Sequence, residues 1–223
     1  SPSDRGHRPH RSDAKIGRPR DELYVGNATL CIPPQGTPEL IRERAATILD
    51  NLPIGEEFDW VDKVSMELTA MTLATLFDMP QEDRRKLTLW SDMVMTRPGD
   101  GIVDTWEEKR AEMAAYAGYF LNLWAQRKAG PPAGDLVSML AHGEATKDMN
   151  QFEYLGNIIL LTIGGNDTTR NTMSGIIHGL DKFPDQRKLF EERPDLIPNA
   201  VQELIRWQTP LAHMQIGRAS CRE

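Results

Sequence analysis

Gly164-Gly165-Asn166-Asp167-Thr168-Thr169 sets a hydroxyl and a carboxylate beside bare backbone, directly after the apolar run Ile158 to Ile163. A carboxylate can carry protons in from solvent and a hydroxyl can hold a small polar ligand. Glycine lets that ligand approach the main chain. The apolar run predicts a deeply buried helix, in which each glycine costs about 1 kcal/mol of helix propensity against alanine. Thr168 lies four residues after Gly164, so its hydroxyl can bond that carbonyl and compete with the helical ladder. Such a site bends a helix and opens a notch in its wall. From the helix alone two readings stay open: a notch that holds a ligand and relays protons, or a glycine kink for close helix packing.

Glu203 and Arg206 stand at i,i+3, so they meet on one helix face. Their apolar neighbours Val201, Leu204, Ile205 and Trp207 predict burial. Such pairs are also common on solvated surfaces and mean little individually; a buried one adds little net stability but is costly to break. None of the five histidines, His7, His10, His142, His178 and His213, has zinc-type spacing with Cys, Asp or Glu, so no metal site is expected of them. Cys31 and Cys221 form no framework and no CxxC pair, which fits a reducing cytoplasm.

The hexapeptide at Gly164 to Thr169 resembles the oxygen-activation motif of cytochrome P-450, [Ala/Gly]-Gly-x-[Asp/Glu]-Thr-[Thr/Ser]. Glu203-Leu204-Ile205-Arg206 resembles the family's Glu-x-x-Arg helix, in the expected order. The stretches FDWVDKVSMELT, LATLFDMPQEDRRKLTLWSD, PGDGIV, SMLAHGEAT and RWQTPLAHM look like the soluble bacterial members that hydroxylate terminal carbons of alkanes and fatty acids. The likeness runs from about Pro38 to Met214. It implies a mainly α, partial cytochrome P-450 fold with haem b held through a thiolate. Under it Thr168 would hold bound oxygen or its water, and Asp167 would connect the site to bulk solvent. Gly164 and Gly165 would let backbone approach the porphyrin, and Leu160 and Ile163 would wall the substrate channel. Glu203 and Arg206 would fix the core beneath the haem. The implied partners are a small apolar substrate, O2, a ferredoxin and its reductase. A member acting on sterol side chains or terpenoids, and a haem-free helical remnant that binds ligands or serves as a scaffold, are the alternatives.

The elements that must position these residues are helical. Leu40, Ile41, Ala45, Ile48, Leu49 and Leu52 give one apolar face after Thr37-Pro38, a good helix start. Helices are expected over Asp59 to Phe77, Gln81 to Met95, Asp104 to about Ala129 and Asp135 to Ala141, before the central one. Pro184 and Pro198 each open another. Tyr116, Phe120 and Trp124 fall at helical spacing, as core residues would. Trp90, Met93 and Met95 lie beside the turn Pro98-Gly99-Asp100-Gly101, which the family uses as a lid over substrate. Glu107-Glu108-Lys109-Arg110 reads as a solvated face.

The chain of 223 residues is 39% hydrophobic and 26% charged, enough for one domain with a substantial core. A net charge of −7 argues against nucleic acid as a partner. No apolar run is long enough for a membrane span, and the polar start has no signal-peptide core. Residues 1–36 read as a non-native or disordered basic segment: six basic side chains against two acidic give the first 20 residues a net of +4. The family's Asp-Pro-Pro-x-His-x-x-x-Arg should precede Pro38, yet only the His7 and Arg11 spacing is present. Its Phe-x-x-Gly-x-Arg-x-Cys-x-Gly loop should follow Arg206, but only 17 residues do, and Cys221 matches that loop poorly. Residues 37–214 therefore read as a partial domain, and 215–223 as a translated sequencing adapter. The chain as given is expected to be an internal fragment, inactive by itself.

Overall fold

A computed structural model describes residues 38–210. The basic segment 1–36, the Thr37 cap, both cysteines, His213 and the tail from 215 lie outside the described residues. Eight α-helices account for most of what is described, with no strand among the described residues. They are α1 (Pro38–Asp50), α2 (Glu67–Leu76), α3 (Arg84–Met95), α4 (Trp106–Ala129), α5 (Leu136–His142), α6 (Gln151–Lys182), α7 (Pro184–Glu192) and α8 (Ile197–Gln208). A π-helical turn, Val61–Met66, leads into α2, and 3-10 turns at Gln81–Asp83 and Pro194–Leu196 lead into α3 and α8.

Local chemistry sets the two long helices. Thr105 caps α4: its hydroxyl accepts from the Glu108 amide while the Glu108 carboxylate accepts from the Thr105 amide. Asn150 and Glu153 repeat the reciprocal arrangement at the start of α6. Gly130-Pro131-Pro132 then stops α4, since proline cannot continue the amide ladder. The central helix stays α-helical from Gln151 to Lys182, straight through the glycine pair.

The core gathers around α4. Tyr116, Phe120 and Trp124 are buried there, packed with Phe77, Leu87, Trp90, Val137, Tyr154 and Ile158. Phe120 is fully buried and lies edge-on to Phe77 and Trp90, at centroid distances of 5.3 and 6.1 Å. Trp124 stacks flat on Tyr154 of α6 at 4.3 Å. The phenols are also satisfied: Tyr154 Oη donates to the Phe120 carbonyl at 3.1 Å, and Tyr116 Oη pairs with Thr162 Oγ1 at 3.1 Å. Burial pushes the Tyr116 and Tyr154 phenols well above the usual tyrosine range, so both stay neutral members of this seam.

Three expectations need correction. The run Ile158 to Ile163 is not buried all round: Ile158 and Thr162 are buried, but Leu160 is 69% exposed. The apolar face of α1 is only partly covered, with no residue of that helix fully buried. Lys109 is not simply solvated, because its ammonium donates to the Thr96 and Val94 carbonyls at the end of α3. A cation there satisfies carbonyls that have no helical partner.

Phe120→Ala should cost about 3–5 kcal/mol, because it empties a fully enclosed site, whereas Leu160→Ala should cost less than about 1 kcal/mol at its exposed position. Urea-denaturation midpoints of the two variants would check this ordering.

Candidate active site on the central helix

The buried stripe of α6 is Tyr154, Ile158, Thr162 and Asn166, four residues apart. Leu160, Gly164 and Thr168 follow the same spacing from a start two residues on, so they lie nearly opposite, on the less covered side. Leu160 and Gly164 are exposed, whereas Thr168 and Ile163 are half-buried.

Thr168 Oγ1 donates to the Gly164 carbonyl at 2.5 Å, the bond expected from the spacing. Its hydroxyl proton is thus committed within the helix while its lone pairs remain able to accept. The two glycines part company. A Cβ built on Gly164 meets nothing within 4 Å, but one on Gly165 would lie 2.7 Å from Leu73 Cδ2 of α2. The two glycines therefore have different surroundings. Gly164 faces open space, and Gly165 admits a neighbouring helix.

Asp167 turns onto α3. Its Oδ1 accepts from Ser91 Oγ at 3.2 Å, from Asn166 Nδ2 at 3.2 Å and from Arg170 Nη2 at 3.1 Å. Arg170 Nη2 also reaches Asp92 Oδ1 on α3 at 3.1 Å. Asn166 is fully buried, and its Oδ1 has no hydrogen-bond partner. Ser91, Asp92, Asn166 and Arg170 were absent from the sequence-based site. Only Arg170, at i+3 from Asp167, left a local signal.

Glu203 and Arg206 do form a two-pronged pair, with nitrogen–oxygen distances of 2.7 and 2.5 Å. The expected burial is wrong: the two side chains are 61% and 71% exposed. Arg206 holds the Glu203 carboxyl below its ordinary range through the hydrogen bond between them. His142 Nε2 pairs with the Arg127 carbonyl at 2.9 Å, and His178 lies on an exposed stretch of α6 beside Trp207. No group of three or more His, Cys, Asp or Glu that could hold a metal occurs among the described residues.

Two of the grooves along α6 border the glycine-rich segment. One, about 420 Å³, lies between Thr168, Thr172 and Ile176 on α6 and Val201 and Ile205 on α8. The other, about 280 Å³ and almost wholly apolar, runs along Leu68, Thr72 and Leu76 of α2 to Gly165 and Met173.

Comparison with known proteins finds the same fold in solved structures. Cytochrome P-450-153 from Novosphingobium aromaticivorans is 45% identical, with a TM-score of 0.68 over 94% of this chain and 54% of that one. CYP153D17 from Sphingomonas sp. PAMC 26605 is 50% identical, with a TM-score of 0.67 over 78% of this chain and 43% of that one. The chain belongs to the cytochrome P-450 superfamily. Linalool 8-monooxygenase of Pseudomonas putida is 30% identical over 176 residues, 78% of this chain and 43% of that protein. No family model matches the chain. The chain thus spans about half the length, or less, of these P-450 relatives. No helix among the described residues is long and apolar enough to cross a membrane.

The P-450 prosthetic group suits the open stripe. A planar apolar group can lie against Leu160 and approach backbone at Gly164, where no Cβ and no neighbouring side chain intervenes.

Gly164→Ala should raise stability by about 1 kcal/mol through helix propensity alone. Gly165→Ala should bring no such gain, since overpacking against Leu73 costs about 1–3 kcal/mol. A raised thermal midpoint in Gly164→Ala without one in Gly165→Ala would separate the two glycines.

Proposed function

We propose that this chain is part of a haem-thiolate monooxygenase that hydroxylates the terminal carbon of alkanes or fatty acids. The observation that carries the proposal is the open stripe itself, with the hydroxyl of Thr168 bonded to a bare Gly164 carbonyl. Haem b, when bound, would supply the oxidising chemistry on O2. Leu160 and Gly164 would lie against it; no cysteine that could hold its iron stands among the described residues 38–210.

The chain's own residues have definable tasks. Thr168 Oγ, its proton fixed on Gly164, can accept a hydrogen bond from a water and so orient a proton donor. Asp167 holds a carboxylate at the rim, 23% exposed, where solvent protons can reach it. Leu160 and Ile163 offer apolar surface without hydrogen-bonding groups, which suits a hydrocarbon chain and excludes water. Electrons would come from a ferredoxin and its reductase in the cytoplasm, in keeping with the subfamily resemblance. A terpenoid or sterol substrate is the second reading, favoured by the 30% identity to the linalool enzyme.

In the full-length protein, Thr168→Ala should lower product formed per O2 consumed by about tenfold or more, with the difference appearing as peroxide or water. Paired oxygen-electrode and gas-chromatographic measurements would test it, and unchanged coupling would remove Thr168 from the mechanism. Terminal alcohol from octane or dodecanoate, against oxidation of linalool or a sterol side chain, decides the substrate class.

A further inference from the structure

Asp167 is the only carboxylate of the glycine-rich segment, and its position is set from two helices. Its Oδ1 takes one donor from its neighbour Asn166, one from Ser91 on α3 and one from Arg170 a turn further along α6. The same Arg170 nitrogen is shared with Asp92, the residue after Ser91. Arg170 is 15% exposed, Asp167 23% and Asp92 27%, so the bridge is half-withdrawn from water. Two carboxylates compete here for one guanidinium. That competition weakens the hold of Arg170 on either one, compared with an exclusive pair. Asp92 belongs to the last turn of α3, three residues before the helix ends at Met95. The turn that follows carries Gly99 and Gly101, both at positive φ, and connects to α4.

We propose that Arg170 is a positioning residue that divides its hydrogen bonding between Asp92 and Asp167, so that the end of α3 governs how firmly the Asp167 carboxylate is held. This rests on the monooxygenase reading, in which Asp167 passes protons toward Thr168. Asp92 touches neither Thr168 nor the open stripe, yet it determines whether Asp167 has Arg170 to itself. Removing the Asp92 charge leaves the guanidinium to Asp167 and makes that carboxylate a poorer proton carrier. Moving the end of α3 would have the same kind of effect, tying proton delivery to the segment that leads into the α3–α4 turn.

The test uses the full-length, haem-loaded enzyme with Asp92→Asn, Arg170→Gln and Arg170→Lys. Asp92→Asn should reduce product per O2 consumed by about threefold to tenfold and enlarge the solvent deuterium isotope effect on kcat. Its KM and carbon-monoxide difference spectrum should stay at wild-type values. Arg170→Gln should also lower coupling, for the separate reason that it removes the cation that places the Asp167 carboxylate, and Arg170→Lys should recover part of it by keeping a cation beside both carboxylates. Amide exchange over residues 88–95 provides a readout independent of turnover and should quicken in Arg170→Gln. Unchanged coupling in Asp92→Asn, or unchanged exchange in Arg170→Gln, overturns the proposal. Coupling lost together with the carbon-monoxide spectrum overturns it too, by showing a purely structural bridge. A wild-type enzyme that binds no haem, or a Thr168→Ala variant that stays coupled, defeats the monooxygenase reading instead.

Discussion

The seam between α4 and α6 decides which side of the central helix remains open. Tyr116 on α4 bonds Thr162, Tyr154 on α6 bonds the Phe120 carbonyl, and Trp124 stacks on Tyr154. These contacts fix the rotation of α6 about its axis as well as its position. With an α-helical period, the stripe Tyr154–Ile158–Thr162–Asn166 must then turn Leu160, Gly164 and Thr168 to the other side. A rotation of one residue, about 100°, would carry Thr162 out of reach of Tyr116 and strand a buried phenol, which costs about 1–3 kcal/mol for the unmet donor alone. The orientation of the open stripe is therefore a consequence of aromatic packing against α4.

The glycine pair divides along the same line. On the open side Gly164 has no neighbour to avoid among the described residues, so packing there gives no reason for its missing side chain. On the side toward α2, Gly165 is needed for Leu73 to come close. Of the two readings left open by the sequence, close helix packing thus applies to Gly165 and not to Gly164. Neither glycine interrupts the helix, because about 2 kcal/mol of propensity cost for the pair is small beside the burial of a 32-residue helix against α2, α3 and α4.

Helices were legible because their signals are local. Thr105 with Glu108, the Gly130-Pro131-Pro132 stop and Pro184 at a helix start each act within a few residues. Thr168 on the Gly164 carbonyl was legible for the same reason, as a bond within one turn. The partners of Asp167 were not, since Ser91 and Asp92 lie 76 and 78 residues from the groups they meet, and only the crossing of α3 over α6 unites them. Glu203 and Arg206 failed differently. Their apolar neighbours are real, but Leu204 and Trp207 pack toward Gly179 while Val201 and Ile205 line the groove beside Thr168. The pair falls on the remaining face, and the described residues supply nothing to cover it. Apolar flanks on a helix therefore do not specify which polar positions are enclosed.

The polar cluster around Asp167 is better explained by specificity than by stability. Half-buried ion pairs return little net energy once desolvation is counted, and an arginine shared by two carboxylates returns less. Fully apolar contacts across α3 and α6 would hold the helices at least as well. The cluster also includes a fully buried Asn166 whose carbonyl oxygen lacks a partner. Such groups persist where polarity itself is needed. Here Asn166 and Ser91 donate to a carboxylate one residue from Thr168, so the cost falls beside the hydroxyl that faces the open stripe. The aromatic seam with α4 supplies the rigidity, which leaves the α3 side free to be polar and adjustable.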